Sequence, residues 1–225
     1  MSQNLTPIDI YKLDIEDFRR RVQTPKTIIG TKNKQFNFPN GDVHRGPITA
    51  IIIDYVEYNA LMEEALTGEP WSGDNVKPPL CWAFGVYRDE MKPEAEAPKP
   101  QSVSCATCEH NQWRRDQKNP NRSFKTCKNQ FRLALIPPDA TETSDILTIN
   151  VSPTGRKNWD KYLLTLRTAG RHFRQQLTEI NWDLKAQQTL TFKSVGPHEL
   201  DPSVIRNAIQ RCTDEKLLYT SPIRT

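Results

Sequence analysis

The chain predicts a mainly β fold of the α+β class, an antiparallel sheet or closed barrel with helices at its periphery. Three observations lead there. The run ITAIIIDYVEYNALM, Ile48 to Met62, is dense in β-branched and aromatic residues. Short alternating runs recur between turn residues on both sides of a cysteine cluster. Two stretches, around Trp159 and around Ile205, carry the spacing of an amphipathic helix instead. The resulting order is strands, a cysteine-bearing insertion, strands, helix, hairpin, helix, which suits a mostly antiparallel sheet.

The elements follow along the chain. The first eighteen residues mix apolar and acidic positions without periodicity, and Thr24 to Lys34 is basic and poor in apolar residues. Residues 1–34 are therefore expected to form a flexible N-terminal arm. Gln35-Phe36-Asn37-Phe38, a turn at Pro39-Asn40-Gly41 and the stretch up to Gly46-Pro47 read as a hairpin leading into the Ile48 strand, which is expected to be central. Gly68, Pro70, Gly73, Pro78 and Pro79 break the next segment into a loop, and CWAFGVY from Cys81 reads as a second strand. The proline-bearing, charged stretch Glu90 to Ser104 is an exposed connector.

After Cys127, FRLALIPP and DILTINVSP read as two strands joined by the polar turn Asp139 to Ser144. Ser152 or Thr154 is placed to cap a helix from about Gly155, with Trp159, Tyr162, Leu163 and Leu166 on its apolar face and Gly170 as its stop. FRQQLTEINWDL and QTLTFKSVG form a hairpin pattern, and Asp201-Pro202 opens a second helix through Val204, Ile205 and Ile209 toward Leu217. With 225 residues, 36% hydrophobic and 26% charged, the whole chain is expected to fold as a single domain, 1–225, with residues 81–132 as an insertion within it.

The cysteines carry the most specific signal. Five is an odd number, and three of them fall between positions 105 and 127, which suits a metal site in a reducing compartment better than a disulfide framework. Cys105-Ala-Thr-Cys108 sets two thiolates on one tight turn, the grip expected for a tetrahedral zinc ion. Cys127 supplies a third ligand. Cys81 is preferred as the fourth, with His110 as the alternative because it lies two positions beyond Cys108. Four protein ligands leave no open position for water, so the expected Zn2+ is structural. Cys212 sits on the apolar side of the last helix and is expected to be a small core residue.

Charge singles out the same insertion. The chain as a whole carries only +4, but between His110 and Arg132 there are seven bases against Asp116 alone. Trp113 and Phe124 interleave with Arg114, Arg115, Lys118, Arg122, Lys125 and Lys128, a combination that suits stacking of unpaired bases beside phosphate neutralisation. A second group on the first hairpin, Lys32, Lys34, Phe36 and Arg45, is the further nucleic-acid-binding candidate, although alternation puts Phe36 and Phe38 on one face that could equally be core. Helix residues such as Arg156 and Arg174 are expected to be ordinary solvated surface.

Nothing in the sequence supports catalysis. G-x-S-x-G, H-E-x-x-H, P-loop and dinucleotide-binding fingerprints are absent, and the four histidines are dispersed without nucleophile or carboxylate companions. The zinc deaminase arrangement does not fit either, because no His/Cys-x-Glu element precedes the Cys105-Cys108 pair. No run approaches the roughly 20 apolar residues of a membrane helix, and the N-terminus is polar and acidic, so no membrane association and a cytoplasmic location are expected.

GPITAIIIDYVEYNA, PPLCWAFG, MKPEAEAPKPQSVSCATCEHNQW, KTCKNQFRLALI and ILTINVSPTGRKNWDKYL, in this order, resemble a group of bacteriophage-encoded single-stranded DNA-binding proteins. The likeness covers roughly residues 40 to 170, and its most specific parts are C-x2-C-x2-N-x-W, K-x-C-K-N and V-S-P-T-G. It implies an OB-fold-like antiparallel barrel with a zinc-bearing insertion, ligands at Cys81, Cys105, Cys108 and Cys127, and a sequence-nonspecific role on single-stranded DNA in replication or recombination in the host cell cytoplasm. Phage or host replication and recombination proteins would be further partners. Two features depart from that pattern: this chain ends LLYTSPIRT where many replication proteins carry an acidic tail, and the segment before Cys127 is rich in Lys and Asn where the group has glycine. The alternative is a zinc-stabilised phage protein that binds another protein or regulates transcription.

Overall fold

A computed structural model describes residues 27–67, 79–87, 89–116, 119–121, 123–183, 185 and 189–220. Eleven strands occur among them: β1 Ile28–Lys32, β2 Gln35–Asn37, β3 Val43–His44, β4 Ile48–Leu61, β5 Cys81–Gly85, β6 Arg114–Arg115, β7 Ser123–Phe124, β8 Lys128–Ile136, β9 Leu147–Val151, β10 Gln176–Trp182 and β11 Leu190–Pro197. The helices are the short α1 Glu64–Thr67, α2 Arg156–Thr168 and α3 Pro202–Asp214. Nine strands make one sheet in the order β11-β10-β4-β8-β9-β1-β2-β3, with β5 joined to β4, and β6 and β7 form a separate ribbon. The protein is thus mainly β, as its sequence predicts.

The isoleucine-rich run is indeed the centre. β8 pairs with β4 from Ile51 to Ala60, while on the other edge β10 takes Ile48–Ile51 and β5 takes Glu57–Leu61. Ile52 faces Leu135 and Asp54 faces Ala134, so Ile53 is the extra residue of a β-bulge. The bulge switches the alternation. Ile51 and Ile53, then Val56, Tyr58 and Ala60, all join the core beneath α3, whereas Ala50, Ile52 and Tyr55 join the core beneath α2. Arg174 satisfies the bulge: its Nε donates to the Ile53 carbonyl at 2.6 Å and its guanidinium pairs with Asp54 at 3.2 Å. Far from being free surface, this arginine holds the strand bend.

The first core contains Trp159, Tyr162 and Leu166 of α2 with Phe131, Leu133 and Ile149 of the sheet. The second contains Ile205, Ala208 and Cys212 of α3 with Trp82, Phe84 and Ile146. Helix ends follow local chemistry. Gly170, at φ +65°, closes α2 with bonds from its own N–H to Arg167 and from the Arg171 N–H to Leu166, the paired pattern that stops a helix in the left-handed conformation. At the other end the Ser152 hydroxyl, which also bonds Thr154 at 2.9 Å, accepts from the Gly155 N–H at 3.3 Å just ahead of α2. Asp201 caps α3 through the Ser203 N–H, with Pro202 in its first turn.

The end of the expected arm is sheet instead. Ile28 and Ile29 are buried, β1 runs parallel to β9, and Asn33-Lys34, both with positive φ, make the two-residue turn into β2. Residues 1–26 lie outside the described residues. A basic composition hid β1, because only two apolar residues are needed to seat it. The sheet curls far enough for Phe36 of β2 to stack on Trp182 of β10 at 5.1 Å, giving a half-barrel; among the described residues no ladder joins β3 to β11. No helix among the described residues is long and apolar enough to cross a membrane.

Candidate metal centre and basic flap

Three segments bring four thiols together. Cys81 opens β5 opposite Leu61, Cys105 and Cys108 flank one turn, and Cys127 immediately precedes β8. The turn is pinned by its own backbone: Cys105 N–H donates to Met91 O, Asn111 N–H to Cys108 O, and Cys127 N–H to His110 O at 2.8 Å. All four thiols are buried and unbridged, and together with His110 they line one cavity of about 10 Å³, room for a single small ion. Cys212 is apart from them, packed in the α3 core, with burial pushing its thiol up to about 11.

Electrostatics ties the four closely. Burial raises the Cys81, Cys105 and Cys127 thiols, Cys127 to about 12, and repulsion among the sulfurs adds to it. Cys81 feels Cys108, Cys105 feels Cys81 and Cys108, and Cys127 feels the other three, so every pair of the set interacts. Two hydrogen bonds act in the opposite sense, favouring thiolate: the Gln101 N–H at Cys81 and the Asn59 side chain at Cys105. Among the described residues, no group of three or more His, Cys, Asp or Glu side chains is placed so that it could hold a metal ion as the side chains stand. The donors nonetheless fit a soft divalent cation, since four buried thiolates are tolerable only with a positive charge between them. His110 also faces the cavity, its Nε2 3.5 Å from Glu109, so both sequence candidates for the fourth position lie at the site.

A chain of asparagines joins this knuckle to the sheet. Asn111 donates to the Cys105 carbonyl at 2.8 Å, Asn129 of β8 donates to Asn111 at 2.9 Å and also to Asn59 of β4, and Asn59 reaches Met91 Sδ at 3.7 Å. Lys125 closes the loop, its Nζ donating to Asn129 at 3.1 Å and Asn111 at 3.4 Å. Neither charge nor periodicity marks these asparagines as site residues. The signal that marks Asn111 and Asn129 is the wording of C-x2-C-x2-N-x-W and K-x-C-K-N themselves.

From this base projects the β6–β7 ribbon, with Arg114 opposite Phe124 and Arg115 opposite Ser123. Trp113 is 69% exposed and Phe124 39%, and Arg114, Arg115 and Lys128 are exposed beside them. Arg114 also pairs with Glu109 at 3.0 Å. Lys118 and Arg122 lie outside the described residues. Lys125 departs from its expected role as a phosphate contact, because its amine is turned inward onto the asparagines and the Trp113 ring, 5.4 Å from the centroid.

The second candidate group loses its aromatic member. Phe36 is fully buried against Trp182, which removes it as a base-stacking residue; the core needs its ring to bridge the curled sheet. Lys34 donates to the Asp183 carbonyl at 3.4 Å, Arg45 is exposed, and the side chain of Lys32 is outside the described set. Arg156, expected on a solvated face, instead makes a two-pronged bond to Glu57 and lies 4.4 Å over the Phe131 ring. Comparison with family models, curated protein sequences and solved structures returned no match to this chain.

Proposed function

We propose that the protein binds single-stranded DNA without sequence preference, using a metal-stapled aromatic flap beside a curled sheet that we read as an OB-type barrel open along one side. The observation that carries this reading is the pairing of two outward-facing rings, Trp113 and Phe124, with exposed Arg114, Arg115 and Lys128 on one small projection. Rings at such exposure contribute nothing to a core, whereas each offers a stacking face to an unpaired base, and the bases neutralise phosphate. In this reading Cys81, Cys105, Cys108 and Cys127 hold one structural Zn2+, which would supply the charge that lets four thiolates share the cavity and so fix the flap. The protein is non-catalytic, works in the cytoplasm of a phage-infected cell, and acts in replication or recombination alongside other proteins of those processes.

Gel-shift titration with oligo-dT tests the proposal, with a duplex of equal length as control. Tight binding to the single strand that weakens steeply as salt rises is expected. Preference for the duplex, or no binding at low salt, overturns it. A second reading, a zinc-stabilised protein-interaction or transcription-regulatory module, is favoured by Val86, Tyr87 and Val103, large apolar side chains exposed on the segments around the knuckle. It requires that Arg114→Glu with Arg115→Glu spare DNA binding while a protein partner is lost.

A further inference from the structure

We infer that Lys125 is a positioning residue that fixes the Trp113 ring to the metal knuckle, and that it makes no contact with a bound strand. This rests on the proposed single-stranded DNA binding but makes a claim of its own about the free protein. The β6–β7 register, Arg114 opposite Phe124, places Trp113 opposite Lys125 on the other face of the ribbon. There the ammonium lies 5.4 Å from the Trp113 centroid, a cation–π contact, and it donates at the same time to Asn129 at 3.1 Å and Asn111 at 3.4 Å.

Those bonds use the amine's donors on one side and the indole covers another, and Lys125 is half-buried where Arg115 and Lys128 are exposed. A phosphate would have to break this cluster, whereas Arg115 and Lys128 stand exposed. The same cluster gives Trp113 its anchorage. An indole 69% exposed has little packing to hold it, so its orientation depends on the Lys125 cation beneath it and, through Asn111 and the Cys105 carbonyl, on the knuckle. A stacking platform that is held in place before the strand arrives loses less entropy on binding than one that swings freely.

The test compares Lys125→Met with Lys128→Met in full-length protein, reading oligo-dT affinity across a salt series and acrylamide quenching of Trp113, the latter as the difference from Trp113→Phe. Lys125→Met is expected to weaken binding about three- to tenfold, to leave the slope of log K against log salt unchanged, and to make Trp113 more mobile and more quenchable even without DNA. Lys128→Met is expected to lower the slope by about 0.7, the signature of one lost phosphate contact on a single strand, and to leave Trp113 unchanged. A slope lowered by about 0.7 in Lys125→Met, or Trp113 quenching identical to wild type, overturns the inference. If Lys125→Met does not fold, Asn129→Ala keeps the cation but removes the nearer of its two acceptors and the amide that braces the other: a looser Trp113 supports the positioning role, and an unchanged one overturns it. Should the wild type bind no single strand at all, the proposed function fails while the quenching comparison still judges Lys125.

Discussion

Phe36 and Trp113 are both aromatic residues set among bases, and the sequence treats them alike. What separates them is a partner 146 positions away: Trp182 receives Phe36, while Trp113 stays exposed beside Lys125 on the ribbon. Local pattern puts Phe36 on a face but says nothing about what covers that face. Phe36→Ala should therefore cost about 3–5 kcal/mol, read as a drop in denaturant midpoint, and should leave the salt dependence of DNA binding intact. A loss of DNA affinity without loss of stability would return Phe36 to the binding surface. Arg132 is a second residue whose role depends on distant partners. It is fully buried with Nε on Asn150 and Nη1 on the Leu218 carbonyl and on Thr220, between the Tyr58 and Phe84 rings, so it ties β8 to the C-terminal turn Leu217–Tyr219. Arg132→Ala leaves those carbonyls without a donor and should cost about 3 kcal/mol in the same measurement, with the far C-terminal turn opening to hydrogen exchange first.

At the scale of elements, the central strand, both long helices and the β10–β11 hairpin were legible because each is written in a local period with its own stop signal. The Ile53 bulge was not, since three consecutive isoleucines satisfy either face, and it takes the β8 register and Arg174 to fix which residue is extra. Gly170 is a place where the local signal is enough: its φ of +65° favours glycine, so Gly170→Ala should destabilise by about 1 kcal/mol, measured by thermal unfolding. The cysteine knuckle gives a pH prediction with a definite sign. In the metal-free protein the Cys127 thiol is raised from an ordinary value of 9.0 to about 12, so the folded state favours the neutral thiol. That contribution is complete below pH 9 and is lost as pH rises toward 12. With zinc bound the sulfurs are already thiolates and this alkaline loss disappears, so denaturation curves of metal-free and zinc-loaded protein should diverge above pH 9.

For the molecule as a whole, the expected insertion at residues 81–132 takes in too much, since β5 and the Lys128–Arg132 part of β8 belong to the main sheet; nor can the sequence tell how sheet and flap are joined, because the joining residues are uncharged asparagines on three different segments. That division predicts how the protein responds to loss of the proposed zinc ion. The two large cores lie under α2 and α3, while Leu61 with Cys81 and Cys127, and Ala83 with Met91 and Cys105, form only small satellite clusters at the knuckle. Burial of apolar side chains is therefore ample in the sheet and meagre in the flap, which in the proposed reading takes its order from the ion and the asparagine chain. A strong chelator should leave the β signal in circular dichroism and a cooperative unfolding transition, while oligo-dT affinity falls by about tenfold or more and Trp113 becomes freely quenched. Cooperative loss of the whole fold on chelation would mean that the metal holds the sheet as well. Unchanged DNA affinity after complete zinc removal would mean that the strand never uses the flap, and the binding surface would then have to be sought on the sheet itself.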